Sequence, residues 1–108
     1  GDNIEQRMAS YVTIEDWQAV EAGYVVSVTI RQTDDQTYPS GWDYSLHLGT
    51  VGGETVLRYD NAHERTKGHE RHADGEVERI DFPGMLTLYD RFTREVETLS
   101  PVSWDWPM

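Results

Sequence analysis

Apolar and polar residues alternate along much of the chain, which is the pattern of β-strands that bury one face. The clearest case is residues 42–50, where large apolar residues occupy every second position and Asp43, Ser45 and His47 stand between them. Residues 24–32, YVVSVTIRQ, are rich in the β-branched and aromatic residues that favour strands. Strands are predicted at residues 10–20, 24–32, 42–50, 54–62 and 76–82.

The turns between these strands predict hairpins. EAG joins the first two strands, and VGGE joins the next two. Pairing across VGGE brings His47 near residues 56–58, so that it could share a face with Arg58. Residues 33–41 and 63–75 are polar, rich in turn formers and without a period, which indicates loops. In the first strand, alternation assigns one face to Tyr11, Thr13, Glu15 and Trp17.

The period of the pattern changes to that of a helix after residue 82. The apolar face of this helix consists of Met85, Leu88, Tyr89, Phe92, Val96 and Leu99. Pro83 suits its first turn, and Pro101 ends it. The expected fold is therefore α+β: an antiparallel sheet of about five strands, with one C-terminal amphipathic helix packed on it. Residues 1–108 are expected to form a single domain, with residues 1–9 and 100–108 as flexible or docking tails.

The chain is strongly acidic, with 20 acidic and 9 basic residues and a formal charge of −11. Lys67 is its only lysine, and this combination is typical of proteins from salt-loving organisms, whose surfaces stay hydrated where salt screens them. The absence of cysteine excludes disulfides, thiol nucleophiles and Cys-based zinc sites. No apolar run of membrane-spanning length and no signal peptide is visible, so the expected location is the cytoplasm.

One segment departs from this acidic background. Residues 58–75, RYDNAHERTKGHERHADG, hold three of the four histidines and the only lysine. Imidazoles exchange protons near neutral pH, and a neighbouring cation can stabilise charge on a phosphate. These groups suffice for metal-independent RNA cleavage: a base for the 2′-hydroxyl, an acid for the leaving oxygen and a cation for the transition state.

Other interpretations fit the same segment. A polar loop with glycine can simply be solvated surface. His69 and His72, at positions i and i+3, could share a metal ion, with His63 or Asp60 as a third ligand. Three neighbouring basic residues would repel a cation, however, so no metal or other cofactor is expected. A non-catalytic interaction protein is a further alternative, in which Trp104 and Trp106 anchor a partner.

The sequence LRYDNAHERTKGHERH, followed by a short strand and FPGMLTLYDRFTREV, resembles the TumE family of toxins of toxin–antitoxin systems. The likeness covers residues 10–99, and its specific part is Tyr59, Asp60 and Asn61 with the histidines that follow. The resemblance implies a cytoplasmic type II toxin that acts on RNA and is neutralised by a helix-turn-helix antitoxin. The sequence also allows a homodimer. The alternative function is that of a non-catalytic module that binds a helix-turn-helix regulator.

These observations predict the functional residues. His69 and His72 are the expected acid and base, and His63 and Asp60 complete the catalytic set, with Asp60 orienting a histidine. The expected contacts to RNA phosphates are Arg58, Arg65, Lys67 and Arg71.

Overall fold

The computed structural model describes residues 8–103, and the fold in this range is α+β. In chain order the elements are β1 (Tyr11–Glu21), β2 (Tyr24–Thr33), β3 (Trp42–Thr50), β4 (Thr55–Asp60), α1 (Glu64–Lys67), β5 (His69–Ala73), β6 (Glu76–Ile80) and α2 (Met85–Leu99). The five predicted strands and the C-terminal helix are present, with small differences at their ends. Trp104 and Trp106, which were expected to dock, lie outside the described residues.

The strands form one antiparallel meander, in the order β1-β2-β3-β4-β5-β6. The sheet has six strands in the described range, because residues 63–75 form α1 and β5; the prediction of a loop there is wrong. Alternation could not reveal β5, since its helix-side positions are occupied by His69 and Arg71 instead of aliphatic residues. Asp74 and Gly75, both with positive φ, form the tight turn to β6.

The core lies between one face of the sheet and α2, which packs across β3 and β4. Both elements supply fully buried side chains: Val26, Val28, Ile30, Leu46, Leu48, Leu57 and Tyr59 from the sheet, and Leu88, Phe92 and Val96 from α2. Those of α2, together with Leu46 and Leu48 on β3, lie on the predicted faces. Two details differ from the prediction. Leu99 is exposed at the end of the helix, and Pro83 precedes the helix instead of lying in its first turn.

A β-bulge at Ile14 changes the face assignment in β1. Thr13 pairs with Arg31, whereas Glu15 pairs with Ile30, so the register shifts between them. Thr13 therefore lies on the side of the sheet away from α2, and Glu15 lies on the core side. The prediction that both share one face is wrong, because a bulge inserts a residue and resets alternation beyond it.

The side of the sheet away from α2 is polar, and we call it the open face. Its positions in the centre of the sheet include Ser27, Thr29, Arg31, Asp43, Ser45, His47, Arg58, Asp60, Glu70 and His72. In the part of the chain that the structure describes, no helix is long and apolar enough to cross a membrane.

Candidate functional site

Three basic side chains form a row across the open face. His47 on β3 pairs with Arg58 on β4, and Arg58 pairs with His72 on β5. Cross-strand partners project their side chains from the same face. Since neighbouring strands lie about 4.8 Å apart, the backbones of the two histidines are separated by about 10 Å, with the guanidinium between them.

A second row, one alternation further along the strands, is acidic. Asp60 pairs with Ser45 on one side and with Glu70 on the other. The Arg58 Nε lies 3.0 Å from the Asp60 Oδ2, although it is not aligned as a hydrogen bond. The His72 Nε2 lies 3.5 Å from Asp60 Oδ2 and also 3.5 Å from Glu70 Oε1. The two rows thus interlock through Asp60, Glu70 and His72.

These rows border a shallow depression of about 500 Å³. Arg58, Asp60 and His72 line its floor, while His63 and Lys67 contribute from the segment around α1. His47 lies on the other side of Arg58, outside this depression. The depression therefore offers cations on two sides and a histidine between two carboxylates, a combination suited to a phosphodiester and its proton transfers.

His47 is a functional candidate that the sequence analysis did not select. Its Nε2 lies 3.0 Å from the Thr55 Oγ1, a hydrogen-bond distance that fixes the ring. Burial, and secondarily the positive charge of Arg58, lower the pKa of His47, so the neutral imidazole is favoured near neutral pH. The VGGE turn did indicate its pairing with residues 56–58, and that register is confirmed.

His69 lies on the opposite face from His72, so the structure does not bring the expected acid–base pair together. Only 7% of His69 is exposed, and its ring stacks on Phe82 with centroids 4.4 Å apart. Its Nδ1 is 2.7 Å from the Tyr44 hydroxyl. Burial lowers the pKa of His69 even though Glu64, 3.5 Å from Nε2, opposes the shift. His69 is therefore part of the packed core side.

Glu64 connects His69 to the residues around the start of α1. This buried carboxylate accepts hydrogen bonds from the Ser40 backbone and hydroxyl and from the Asn61 side chain, each at 2.8 Å. The Asn61 amide oxygen in turn accepts from the Tyr44 backbone N–H at 3.0 Å. This network explains the Asn61 of the Tyr-Asp-Asn element, because it fixes the start of α1 against β3.

The remaining predicted residues divide between the two faces. Arg71 lies under α2, where its Nη2 is 2.5 Å from Glu95 Oε2, so it is not directed toward the open face. Tyr59 also hydrogen-bonds Glu95 from the core side. Arg65 is exposed on α1 and does not line the depression. Of the predicted set, Arg58, Asp60, His63, Lys67 and His72 therefore come together.

The described residues contain one constellation that could hold a metal ion. Asp60, Glu70 and His72 each place a donor atom within 4.8 Å of the other two. All three side chains are partly buried. The set predicted from the sequence shares His72 and Asp60 with this cluster, but it was based on His69, which the sheet places on the other face.

Comparison with known proteins gives one match. Residues 5–100 match the protein family described as Toxin TumE. No curated protein and no solved structure matches the chain.

Proposed function

The chain belongs to the TumE toxin family, and from this premise we propose that it is a type II toxin that cleaves RNA on its open face. The observation that carries the proposal is the row of His47, Arg58 and His72, which the register of three strands aligns on one face. No metal ion is required for the proposed reaction, because two imidazoles and a guanidinium supply the necessary groups.

The proposed step is a transesterification. Neutral His47 takes the proton of the 2′-hydroxyl, and the 2′-oxygen attacks the phosphorus. The bond from phosphorus to the 5′-oxygen breaks, and protonated His72 gives that oxygen its proton. The products are a 2′,3′-cyclic phosphate and a free 5′-hydroxyl, and Arg58 stabilises the negative charge that builds up on the phosphate.

The surroundings of each histidine favour this division of roles. The lowered pKa of His47 suits a base. The Nε2 of His72 lies 3.5 Å from a carboxylate oxygen of Asp60 and 3.5 Å from one of Glu70, which orients its ring on the open face. Proton transfers of this kind typically contribute about 10²–10⁴-fold to a rate.

The charge of the protein restricts how RNA would bind. Arg58 and Lys67 are available to phosphates, but the whole chain carries −11, and salt weakens phosphate contacts further. The proposal therefore does not need tight non-specific binding. An RNA held by its shape, or presented on a ribosome, fits this surface better than free single strands of any sequence.

Induced expression tests the proposal with a matched pair of variants. Wild-type protein is expected to arrest growth and degrade cellular RNA. Arg58→Gln should abolish both effects, whereas Arg94→Gln should retain them, because Arg94 is an exposed residue on α2 that pairs only locally with Asp90. Growth arrest without RNA degradation, or equal arrest by both variants, would contradict the proposal.

A second part of the proposal is neutralisation by a helix-turn-helix antitoxin. The observation that favours an interaction site is an apolar groove lined by Ile14, Trp42, Met85 and Leu86, beside the start of α2. Leu86 leaves 67% of its surface exposed. Exposed apolar patches of this kind often mark protein contacts.

Co-expression tests this site. We expect Leu86→Lys to stay toxic while the antitoxin encoded beside the gene no longer rescues growth. Rescue equal to that of wild type would exclude the groove as the neutralisation surface.

A further inference from the structure

The Asp60, Glu70 and His72 cluster brings three donor atoms within 4.8 Å of one another, close enough to reach one metal ion. A tetrahedral Zn²⁺ with bonds of about 2.1 Å holds neighbouring donor atoms about 3.4 Å apart. The two measured distances from His72 Nε2, to Asp60 Oδ2 and to Glu70 Oε1, are both 3.5 Å. Three protein donors would leave a fourth position for water, as in zinc sites that have three protein ligands.

A second observation concerns the His72 Nε2 itself. This nitrogen is shielded from solvent and has no hydrogen-bond partner. Buried polar atoms normally have a partner, because an unpaired one has lost its hydrogen bonds to water without replacement. The nitrogen is surrounded by two carboxylates, so either a proton or a metal ion on Nε2 would satisfy it.

We infer that this cluster binds a divalent transition-metal ion such as Zn²⁺, and that the ion inhibits the toxin. Imidazole together with carboxylates suits Zn²⁺, whereas Mg²⁺ prefers oxygen ligands alone. An ion on Nε2 takes the lone pair that a second ring proton would need, so the acidic imidazolium form of His72 cannot form and the acid step is blocked. The inhibitory role rests on the proposed function, but the binding itself does not.

Arg58 sets the expected strength of the site. Its guanidinium stands next to Asp60 and repels a second cation. We therefore expect Arg58→Gln to bind Zn²⁺ more tightly than wild type. The same substitution is expected to abolish RNA cleavage. Arg58→Gln therefore separates zinc binding, which it should strengthen, from cleavage, which it should remove.

Calorimetric titration with ZnCl₂ tests the binding. Wild type is expected to bind one ion per chain, and His72→Gln, Asp60→Asn and Glu70→Gln should each weaken the affinity at least tenfold. Glu78→Gln is the matched control, because it removes the same charge from the same hairpin at an exposed position on the other face. Absence of saturable binding by wild type, or undiminished affinity in His72→Gln, would overturn the site.

RNA cleavage tests the inhibition. Protein treated with EDTA should cleave RNA, saturating Zn²⁺ should slow it at least tenfold, and the same concentration of Mg²⁺ should not. Cleavage that persists unchanged with the site saturated, or that requires Zn²⁺, would overturn the inhibitory role. If zinc binds as expected but no condition gives cleavage, the proposed function fails and the metal site stands.

Discussion

At the scale of single residues, the two histidines expected to act as acid and base have different surroundings. His69 is buried, stacked on Phe82 and 2.7 Å from the Tyr44 hydroxyl, whereas His72 faces the open side between two carboxylates. Sequence spacing could not distinguish them, because face assignment requires knowing that the segment is a strand. Pattern and turn chemistry did predict the strand that carries Arg58 and Asp60, but the pairing of this strand with His72 required β5, which the pattern does not reveal.

Substitution of His69 is therefore expected to act on stability. His69→Ala leaves the buried Tyr44 hydroxyl without its partner and removes the stacked ring, which together should cost about 2–4 kcal/mol. His72→Gln should cost less than about 1 kcal/mol, because its side chain is partly exposed. Urea unfolding of both variants measures the difference. A fully stable His69→Ala that loses only activity would instead indicate a direct role for His69.

At the scale of elements, α2 and β5 are joined by a polar contact inside a largely apolar interface. Glu95 on α2 accepts hydrogen bonds from Arg71 on β5 and from Tyr59 on β4. The sequence predicted α2 well, since six apolar positions followed its period. It assigned Arg71 to RNA because β5, the element that turns Arg71 toward the helix, has no apolar alternation to reveal it.

This contact predicts a pH dependence of stability. Burial alone would raise the pKa of Glu95, but the hydrogen bonds from Arg71 and Tyr59 outweigh it and hold that pKa below its usual value. The unfolded chain therefore takes up the proton first as pH falls, so stability from Glu95 is full above about pH 4.5 and is lost at lower pH. When the pH is lowered from 7 to 3.5, the free energy of unfolding should fall less in Glu95→Gln than in wild type. Equal losses would show that Glu95 does not contribute.

At the scale of the whole molecule, charge and fold are separate features of the sequence. The meander and its core follow from alternation and turns, and composition adds nothing to them. The charge of −11 instead predicts behaviour in solution, since like charges repel in the compact state. We propose that the surface is adapted to high salt.

Salt should accordingly stabilise the protein. Raising KCl from 0.1 M to 2 M shortens the Debye length from about 10 Å to below about 3 Å, which screens the repulsion among acidic side chains. Thermal unfolding followed by circular dichroism is expected to show a rising midpoint across this range. A midpoint that stays constant or falls would argue against adaptation to salt.

The open face is proposed to cleave RNA through His47, Arg58 and His72. The most direct test is the chemistry of the ends produced when purified protein cuts a sensitive RNA in the presence of EDTA. We expect a 2′,3′-cyclic phosphate on one product and a 5′-hydroxyl on the other, at least 100-fold slower formation in His72→Gln, and no cut at a 2′-deoxy position. Undiminished cleavage by His72→Gln, or cutting at the 2′-deoxy position, would contradict the claim.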